Sequence, residues 1–521
     1  RRGRRTGRAA RDNVVRSAPP RHPHPRLNMN GGAPTKALSK GKVKELNGLV
    51  EELMQHGFRE ANGADELLAQ HRDMAGVLDR IRRVEPKLRT TNGRPRMETV
   101  AHFMRWAVER GCQVENVRVA EHAEYGGLGL ESCGPIPAGE CIITVPRSMF
   151  FYVTNEPRYR QLLELMPGAM MSEQGNIMLA LALIMERFRA KSDWKPYLDL
   201  LPDRYTTPLY YTTEDMGELA ETDAFLPALK LCKHIARQYG FIRRFVQEKV
   251  DELRDCFTYD VFRWAVSTVM TRQNKVPVNL AEFDGMDHTL ALIPLWDMAN
   301  HAFPDTANET RCVAETCYNA TNEQLECSLT REVSDIASVP IFIVYGTRTD
   351  AEFLVHNGFV CPRNPHANVQ KRFTLVPAIP LYKERAHLLE LLGMPTTGTF
   401  SFGPAREPAA ATTTTPISQE LISLARVSSM TAKELDEYTA MKETQRQTLR
   451  TYQALLPAEL CARTERWLAT VMKIMLLRYP TTIEQDEALL KTNRHHIRRL
   501  LIEYRLGEKQ ILRSWCSLRG V

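Results

Sequence analysis

Short runs of strand-forming residues, widely separated along the chain, constrain the fold more than any other feature of this sequence. The short β-like runs are Val117–Val119, Cys141–Val145 and Ile341–Val344. A helix-rich block over about 155–270 interrupts these runs, which is typical of an insertion. A chain of 521 residues is too long for one ordinary hydrophobic core, so two or three domains are expected.

Helical periodicity flanks this strand-containing region on both sides. Apolar residues recur at helical spacing over Val43–Met54 and Leu67–Ile81, and periodic Leu and Ile fill 417–521. The Ala- and Thr-rich segment Pro404–Pro416 predicts a flexible loop. The sequence therefore predicts a disordered basic tail, N-terminal helices, a strand-containing domain with its insertion, and a helical C-terminal domain with a loop at 404–416. These four regions are predicted at 1–38, 39–90, 91–365 and 366–521.

The positive charge of the chain is concentrated in its first residues. Residues 1–28 hold nine Arg and one acid, Asp12, so their formal charge is +8. The formal charge of the whole chain is +7. The rest of the chain therefore carries −1, which gives no case for nucleic-acid binding by the folded body. The tail is rich in Arg, Pro and His, so we expect it to be disordered. A tail or upstream extension is favoured over a targeting signal because its prolines would spoil an amphipathic helix.

Composition also bounds the compartment and the cofactors. The best apolar run, Ile177–Met185, is nine residues long, well short of the ~20 needed to span a bilayer, so no membrane association is expected. Eleven scattered cysteines without a CxxC pair argue against a structural zinc site. Reduced thiols fit the cytoplasm or the nucleus.

The run Ile293–His301 places a Trp, a carboxylate, an amide and an imidazole within six residues. Buried polar groups cost free energy unless each finds a partner, so such crowding suggests a functional site. Asp297, Asn300 and His301 could form a metal site or an acid–base pair, but they make a poor ligand set for a metal. A hydrogen-bonded structural role is the alternative for His301.

Three further motifs have both structural and functional interpretations. Gly126–Leu130 is either a glycine-rich turn or a backbone that lies close to a ligand, and it matches neither a dinucleotide nor a P-loop fingerprint. Arg272 could bind a ligand carboxylate, or it could cap a helix with Asn274 in the left-handed position. Tyr345 follows an apolar strand and is either a core aromatic or a group that orients a substrate. No G-x-S-x-G elbow or Cys/His pairing supports a hydrolase.

Taken in order, these motifs resemble a SET-domain methyltransferase of the branch that includes the Rubisco large-subunit methyltransferases. Within that branch, the segments are most similar to the actin-histidine methyltransferases. The resemblance covers about 40–515 and rests on the GxG turn and on the segments Arg263–Ser267, Met270–Asn274, Ala291–Met298, Asn300–His301, Tyr345–Arg348, Asn357–Phe359, Thr482–Asp486 and Arg505–Lys509. It implies an α+β fold, in which a SET domain of short sheets with a pseudoknot carries the helical insertion. An all-α substrate-binding domain is implied to follow.

The resemblance implies S-adenosylmethionine as the methyl donor. The backbone of Asn300 and His301 is expected to contact it, and Asp297 to brace that turn. Arg96 and Arg272 are expected to hold its carboxylate end. The remaining residues expected around the cofactor are Gly126, Gly127, Leu128, Met298, Ala299, Asn357, Gly358 and Phe359.

The resemblance also implies a methyl acceptor on a protein substrate, actin. Asn274, Trp296, Tyr345 and Arg348 are expected to shape the acceptor slot, with Asn274 and Tyr345 acting as catalytic residues. A histidine acceptor is mostly neutral at pH 7, whereas deprotonating a lysine costs about 4.6 kcal/mol. Because Asn274 and Trp296 stand where the actin-histidine methyltransferases have them, the resemblance leads us to expect protein-histidine N-methylation. The enzyme is expected to be a monomer. A protein-lysine methyltransferase and a non-catalytic peptide-binding scaffold are the alternatives.

The sequence departs from the family pattern at three places. Gly126 stands where a Glu is usual, Ala337–Pro340 replaces a Gly-Glu pair, and 302–330 is expected to form a longer, Cys-containing loop. These changes affect loops more than the reaction.

Overall fold

The computed structural model describes residues 38–516, apart from 123–126, 155, 166–167, 278–287, 305–311, 335–337, 406–415 and 453. The predicted basic tail and most of the predicted loop at 404–416 lie outside the described residues. Gly126 also lies outside them.

Two N-terminal helices match the predicted periodicity. Helix α1 spans Lys40–Phe58 and α2 spans Ala64–Val84. The Ser39 side chain accepts a hydrogen bond from the Lys42 N–H and so caps α1. Both helices turn their apolar faces into the main hydrophobic core, where Leu46 and Ile81 are fully buried. Helix α3 follows at Arg96–Glu109.

The SET region is built on one mixed sheet. Its strands are β1 (Gln113–Val114), β2 (Val117–His122), β3 (Gly127–Ser132), β4 (Cys141–Pro146), β7 (Asn300–His301), β8 (Cys312–Asn319), β9 (Gln324–Leu329) and β10 (Pro340–Ile343). Their order is β1-β4-β9-β8-β10-β3-β2, and β7 pairs with β10 in parallel. The three predicted strand runs are confirmed as parts of β2, β4 and β10. The expectation of a loop over 302–330 is wrong for 312–329, where β8 and β9 form a hairpin, and 305–311 lie outside the described residues. Alternation in that hairpin buries Leu325, Cys327 and Leu329 on one face.

The predicted helix-rich block is an insertion between β4 and β7. It contains α4 (Arg160–Leu165), α5 (Gly168–Phe188), α6 (Lys195–Leu198), α7 (Thr213–Glu218), α8 (Phe225–Lys249) and α9 (Tyr259–Arg272). The longest apolar run of the chain, Ile177–Met185, is buried in α5. No helix in the described part of the chain is long and apolar enough to cross a membrane. After α9, a short hairpin of β5 (Asn274–Pro277) and β6 (His288–Ala291) returns the chain to the sheet.

After β10, the SET region continues through α10 (Asp350–Glu352) and a π-helical turn (Phe353–Asn357). The C-terminal region that follows is mainly helical. Its elements are β11 (Val369–Thr374), α11 (Tyr382–Leu391), β12 (Thr397–Phe402), α12 (Gln419–Ser429), α13 (Ala432–Ala440), α14 (Glu443–Arg446), α15 (Ala458–Leu476), α16 (Ile483–Thr492) and α17 (His496–Cys516). The α+β fold class is confirmed, but the all-α expectation for this domain missed the antiparallel pair β11–β12. Phe373, Phe400 and Phe402 from this pair are buried in the C-terminal core. The intervening Lys and Arg of β11 hid its alternation.

Apolar side chains join the C-terminal region to the SET region. Met216 and Leu219 from the insertion, Leu354 and Val355 from the π-helical turn, and the α17 pair Leu500 and Leu501 lie in one buried cluster. We call these six residues the interdomain core. Burial of this apolar surface stabilises helix α17 against the SET region.

Candidate functional site

A strained turn brings the polar run into the centre of the molecule. Leu295 is fully buried and has φ +74° and ψ −57°, values that define a rare γ-turn. A non-glycine residue held in this conformation costs about 1–3 kcal/mol, so the surrounding packing must enforce it. The turn leads into a single 3₁₀ turn, Trp296–Met298, and then into β7.

Asp297 is the buried centre of a hydrogen-bond network. Its Oδ2 accepts from the Tyr197 hydroxyl at 2.5 Å and lies 3.5 Å from Nη1 of Arg272. The same Nη1 donates to the Asp297 carbonyl oxygen at 2.6 Å. Burial raises the pKa of Asp297, and the positive charge of Arg272 opposes that rise. The network holds the backbone of the turn at Asp297 in place.

Two arginines lie close together beside this network. Arg96 donates from Nε to the Leu200 carbonyl oxygen at 2.7 Å. Burial, together with the nearby charge of Arg272, lowers the pKa of Arg96 to about 10. Two buried guanidiniums repel each other, so the pair favours an anionic ligand. Arg272 Nε and Asp297 Oδ1 are buried without a hydrogen-bond partner among the described residues.

Glycines keep β3 close to the 300–301 segment. A Cβ at Gly129 would lie 2.6 Å from Asn300 Nδ2, and a Cβ at Gly127 would lie 3.1 Å from Arg96 Nη1. Asn300 Nδ2 also donates to the Leu128 carbonyl oxygen at 3.4 Å. We call this group of Arg96, Gly127, Leu128, Gly129 and Asn300 the cradle.

His301 is a neutral imidazole inside an aromatic cluster. Burial lowers the pKa of His301 to about 4. Its Nδ1 lies 3.1 Å from the Tyr345 N–H, which can only donate, and 3.2 Å from the Ile343 carbonyl oxygen. The rings around it are Phe303, Tyr345, Phe353 and Phe359. His301 Nε2 is buried and has no partner in the part of the chain that the structure describes. The unpaired Nε2 of His301 and the guanidinium groups of Arg96 and Arg272 are therefore polar groups to which a ligand could hydrogen-bond.

A narrow cavity lies next to the cradle. Its lining residues are Met270, Thr271, Arg272, Gln273, Asn274, Trp296, Asp297, Ile343, Val344, Tyr345, Arg348 and Asn357. All four residues predicted to shape the acceptor slot are among them. Asn274 is the first residue of a strand, so the left-handed helix cap considered for it is wrong.

Hydrogen bonds orient the side chains of this cavity. Asn274 Nδ2 donates to the Arg272 carbonyl oxygen at 3.1 Å. The Tyr345 hydroxyl donates to the Ala299 carbonyl oxygen at 2.8 Å, and burial raises the pKa of Tyr345 to about 12. Tyr345 is therefore a donor at neutral pH and not a base. Arg348 Nη1 donates to Asn357 Oδ1 at 2.5 Å.

Of the remaining predicted cofactor residues, three lie around the cradle without lining the cavity. Met298 is the last residue of the 3₁₀ turn, and its side chain is buried. Gly358 has φ +78°, and its carbonyl oxygen accepts from Thr206 Oγ1 at 2.5 Å. Phe359 contacts the ring of His301 with centroids 5.8 Å apart.

Several residues that support the site belong to no motif in the sequence. They are Tyr197 and Thr206 from the insertion and Thr316 from β8, which accepts a hydrogen bond from Trp296. None of them lies in a motif that marks a functional site, and their partners are distant in sequence. Within the described residues, no group of three or more His, Cys, Asp or Glu side chains could hold a metal ion.

Comparison with known proteins places this site in context. The family of Rubisco LSMT substrate-binding domains matches residues 376–512. The actin-histidine N-methyltransferase of Callithrix jacchus is 33% identical over 491 residues, which cover 92% of this chain and 78% of that protein. The Homo sapiens protein of the same name is 32% identical over the same shares.

Solved structures share the fold at lower identity. The SET domain of LSMT bound to lysine and AdoHcy aligns with a TM-score of 0.56 at 20% identity, over 81% of this chain and 91% of that chain. Rubisco LSMT bound to AdoMet aligns with a TM-score of 0.53 at 20% identity over the same shares. This similarity agrees with the SET fold expected from the sequence.

Proposed function

Since this chain belongs to the actin-histidine N-methyltransferase family and is an S-adenosylmethionine-dependent protein methyltransferase, we propose that it methylates a ring nitrogen of an actin histidine. The observation that carries the proposal is the cavity in which Asn274, Trp296 and Tyr345 meet beside Arg272 and Asp297. A narrow cavity lined by an amide and an indole suits an imidazole ring.

The cradle residues fit S-adenosylmethionine. Arg96 and Arg272 would hold its carboxylate. Because Gly127 and Gly129 have no side chain, the backbone of β3 lies close to Arg96 and Asn300, and its polar groups would be accessible to the cofactor. The orphaned Nε2 of His301 offers a polar atom within an otherwise aromatic wall. When bound, S-adenosylmethionine supplies a sulfonium methyl that is already activated for transfer.

The chain's own residues have little acid–base work to do. A neutral imidazole carries a nitrogen lone pair that would form the new N–CH₃ bond while the carbon–sulfur bond of the donor breaks and S-adenosylhomocysteine leaves. The imidazolium that results would then lose its N–H proton to solvent. The protein therefore needs only to align the ring and to exclude water during transfer. Asn274 Nδ2 is committed to the Arg272 carbonyl, which leaves Oδ1 to accept the N–H of the other ring nitrogen. This contact would fix the tautomer and stabilise the imidazolium that forms. Trp296 would pack against the ring.

Tyr345 would act through orientation. Its hydroxyl is held by the Ala299 carbonyl oxygen, and its backbone N–H by Nδ1 of His301. Because the pKa of Tyr345 is raised to about 12, it remains protonated at neutral pH. It therefore shapes the wall of the slot and removes no proton.

Transfer of a tritiated methyl group to purified actin tests the proposal. Mass spectrometry locates the label, and an actin variant that lacks that histidine serves as the matched substrate. We expect labelling of wild-type actin and none of the variant. Label on a lysine would replace this proposal with lysine methylation, and no label on actin or on a cell extract would support a peptide-binding scaffold.

A further inference from the structure

The β8–β9 hairpin extends past the end of its neighbouring strand. Parallel pairing between β10 and β8 stops at Ile343 and Ala314. Strand β8 continues to Asn319 and stays paired with β9 as far as Gln324. Because Val344 and Tyr345 leave the sheet at this level, the extended part of the hairpin lies beside the cavity that these two residues line.

One side chain of this hairpin holds the indole of Trp296. Trp296 Nε1 donates to Thr316 Oγ1 at 2.9 Å, and the Trp296 side chain is otherwise buried, with 9% of the residue exposed. An indole N–H can only donate, so a buried one needs an acceptor. Thr316 lies opposite Cys327 in the register, and its Oγ1 is 3.9 Å from the Cys327 Sγ.

The same face of β8 also contacts the residues that support the strand beginning with Asn274, another lining residue of the cavity. Two residues on, the Tyr318 hydroxyl accepts from Arg147 Nη1 at 3.4 Å. That Nη1 also donates to the Pro277 carbonyl oxygen at 2.6 Å, at the end of the strand that begins with Asn274. Residues i and i+2 share a strand face, so one face of the hairpin supports both Trp296 and the Asn274 strand.

We propose that Thr316 is a specificity-determining positioning residue, whose hydroxyl sets the plane of Trp296 and so the width of the acceptor slot. The inference rests on the proposed function, because it takes the cavity as the place where the acceptor ring sits. A rigid imidazole reacts only within a narrow range of orientations, whereas a long lysine chain tolerates a wider slot. Loss of the Thr316 hydroxyl should therefore impair histidine transfer more than lysine transfer.

Two substitutions test the residue, with a matched control on the same hairpin. Thr316→Val removes the acceptor at nearly constant volume, and Thr316→Ser keeps it. Thr330→Val removes a hydroxyl that donates to the Val313 carbonyl oxygen at 2.8 Å and does not contact Trp296, so it controls for general damage to the hairpin. The indole ¹H–¹⁵N signal of Trp296, assigned with Trp296→Phe, reports its hydrogen bond directly.

We expect Thr316→Val to lower kcat on actin about tenfold, with KM changed less than twofold. The ratio of histidine to lysine transfer, measured on actin and on actin with Lys at the acceptor position, should fall as well. Thr316→Ser should restore kcat, and Thr330→Val should retain it. An unshifted Trp296 signal in Thr316→Val, or a shifted signal with unchanged kcat and ratio, would overturn the inference. If the wild-type enzyme transfers to no histidine, the proposed function fails instead, and the indole signal still reports whether Thr316 holds Trp296.

Discussion

Replacing Arg505 with Met should destabilise the protein strongly, because its guanidinium is fully buried between two carboxylates. It donates to Asp486 at 2.7 and 3.2 Å, and to the Glu218 carboxylate and carbonyl oxygens at 2.6 and 3.0 Å. Burial alone would raise the pKa of Asp486, but hydrogen bonds from Arg505 and Lys509 hold the pKa below its ordinary value. The Arg505→Met variant would therefore leave buried negative charge with too few donors.

The size of the effect follows from what remains. Removing one partner of a buried ion pair costs about 3–5 kcal/mol. Lys509 Nζ and the Thr481 hydroxyl still donate to Asp486 at 2.6 and 2.7 Å, so that carboxylate keeps two partners. Glu218 loses both of its hydrogen bonds from Arg505. We therefore expect a loss at the lower end, about 3 kcal/mol in the free energy of unfolding.

Urea unfolding at pH 7, followed by far-ultraviolet circular dichroism, measures this loss. Arg513→Met is the matched control on the same helix, because Arg513 is exposed and its 3.4 Å pair with Glu484 lies at the surface. Such surface pairs contribute about 0–1 kcal/mol. A loss for Arg505→Met no larger than that for Arg513→Met would show that the buried network contributes nothing net, and the reasoning would be wrong.

The remaining predictions concern the site itself. Asn274→Ala should lower kcat on actin at least tenfold, while the affinity for S-adenosylmethionine, measured by calorimetry, should stay within twofold of wild type. The control Asn368→Ala, a change in the C-terminal region, should leave both quantities unchanged. An equal loss of kcat and of cofactor affinity in Asn274→Ala would count against a role of Asn274 at the acceptor. Gly129→Ala should weaken cofactor binding at least tenfold in the same assay, because the new Cβ would lie 2.6 Å from Asn300 Nδ2. Since the pKa of His301 is lowered to about 4 from 6.5, its stabilising contribution is complete above about pH 6.5 and is lost as pH falls through 4. When pH falls from 7 to 5, the free energy of unfolding of the wild type, measured by urea titration, should therefore decrease by up to about 2 kcal/mol more than that of His301→Asn. An equal decrease in the two proteins would refute this prediction.

Much of the site could be predicted because its parts are locally dense. Arg272 with Asn274, Trp296 with Asp297, and Tyr345 each lie in a short polar segment, and the structure brings these segments to one cavity. Their roles in binding and transfer stay predictions.

The supporting residues could not be predicted in the same way. Tyr197 is 100 residues from its partner Asp297, and Thr316 is 20 residues from Trp296. Nothing in the neighbouring sequence of either residue indicates its partner, because that partner is determined by the tertiary fold. The pair β11–β12 was missed for a related reason, since only its buried Phe positions mark it as strand.

The interdomain core has a consequence for thermodynamic linkage. Leu354 and Val355 belong to the π-helical turn that ends at Asn357, which lines the cavity, and they lie in the same buried cluster as Leu500 and Leu501 of α17. A protein that binds the C-terminal region and shifts α17 therefore also changes the free energy of that turn. Coupling of this kind is equal in both directions. Whatever factor a docked protein adds to cofactor affinity, bound cofactor must add to the affinity for that protein.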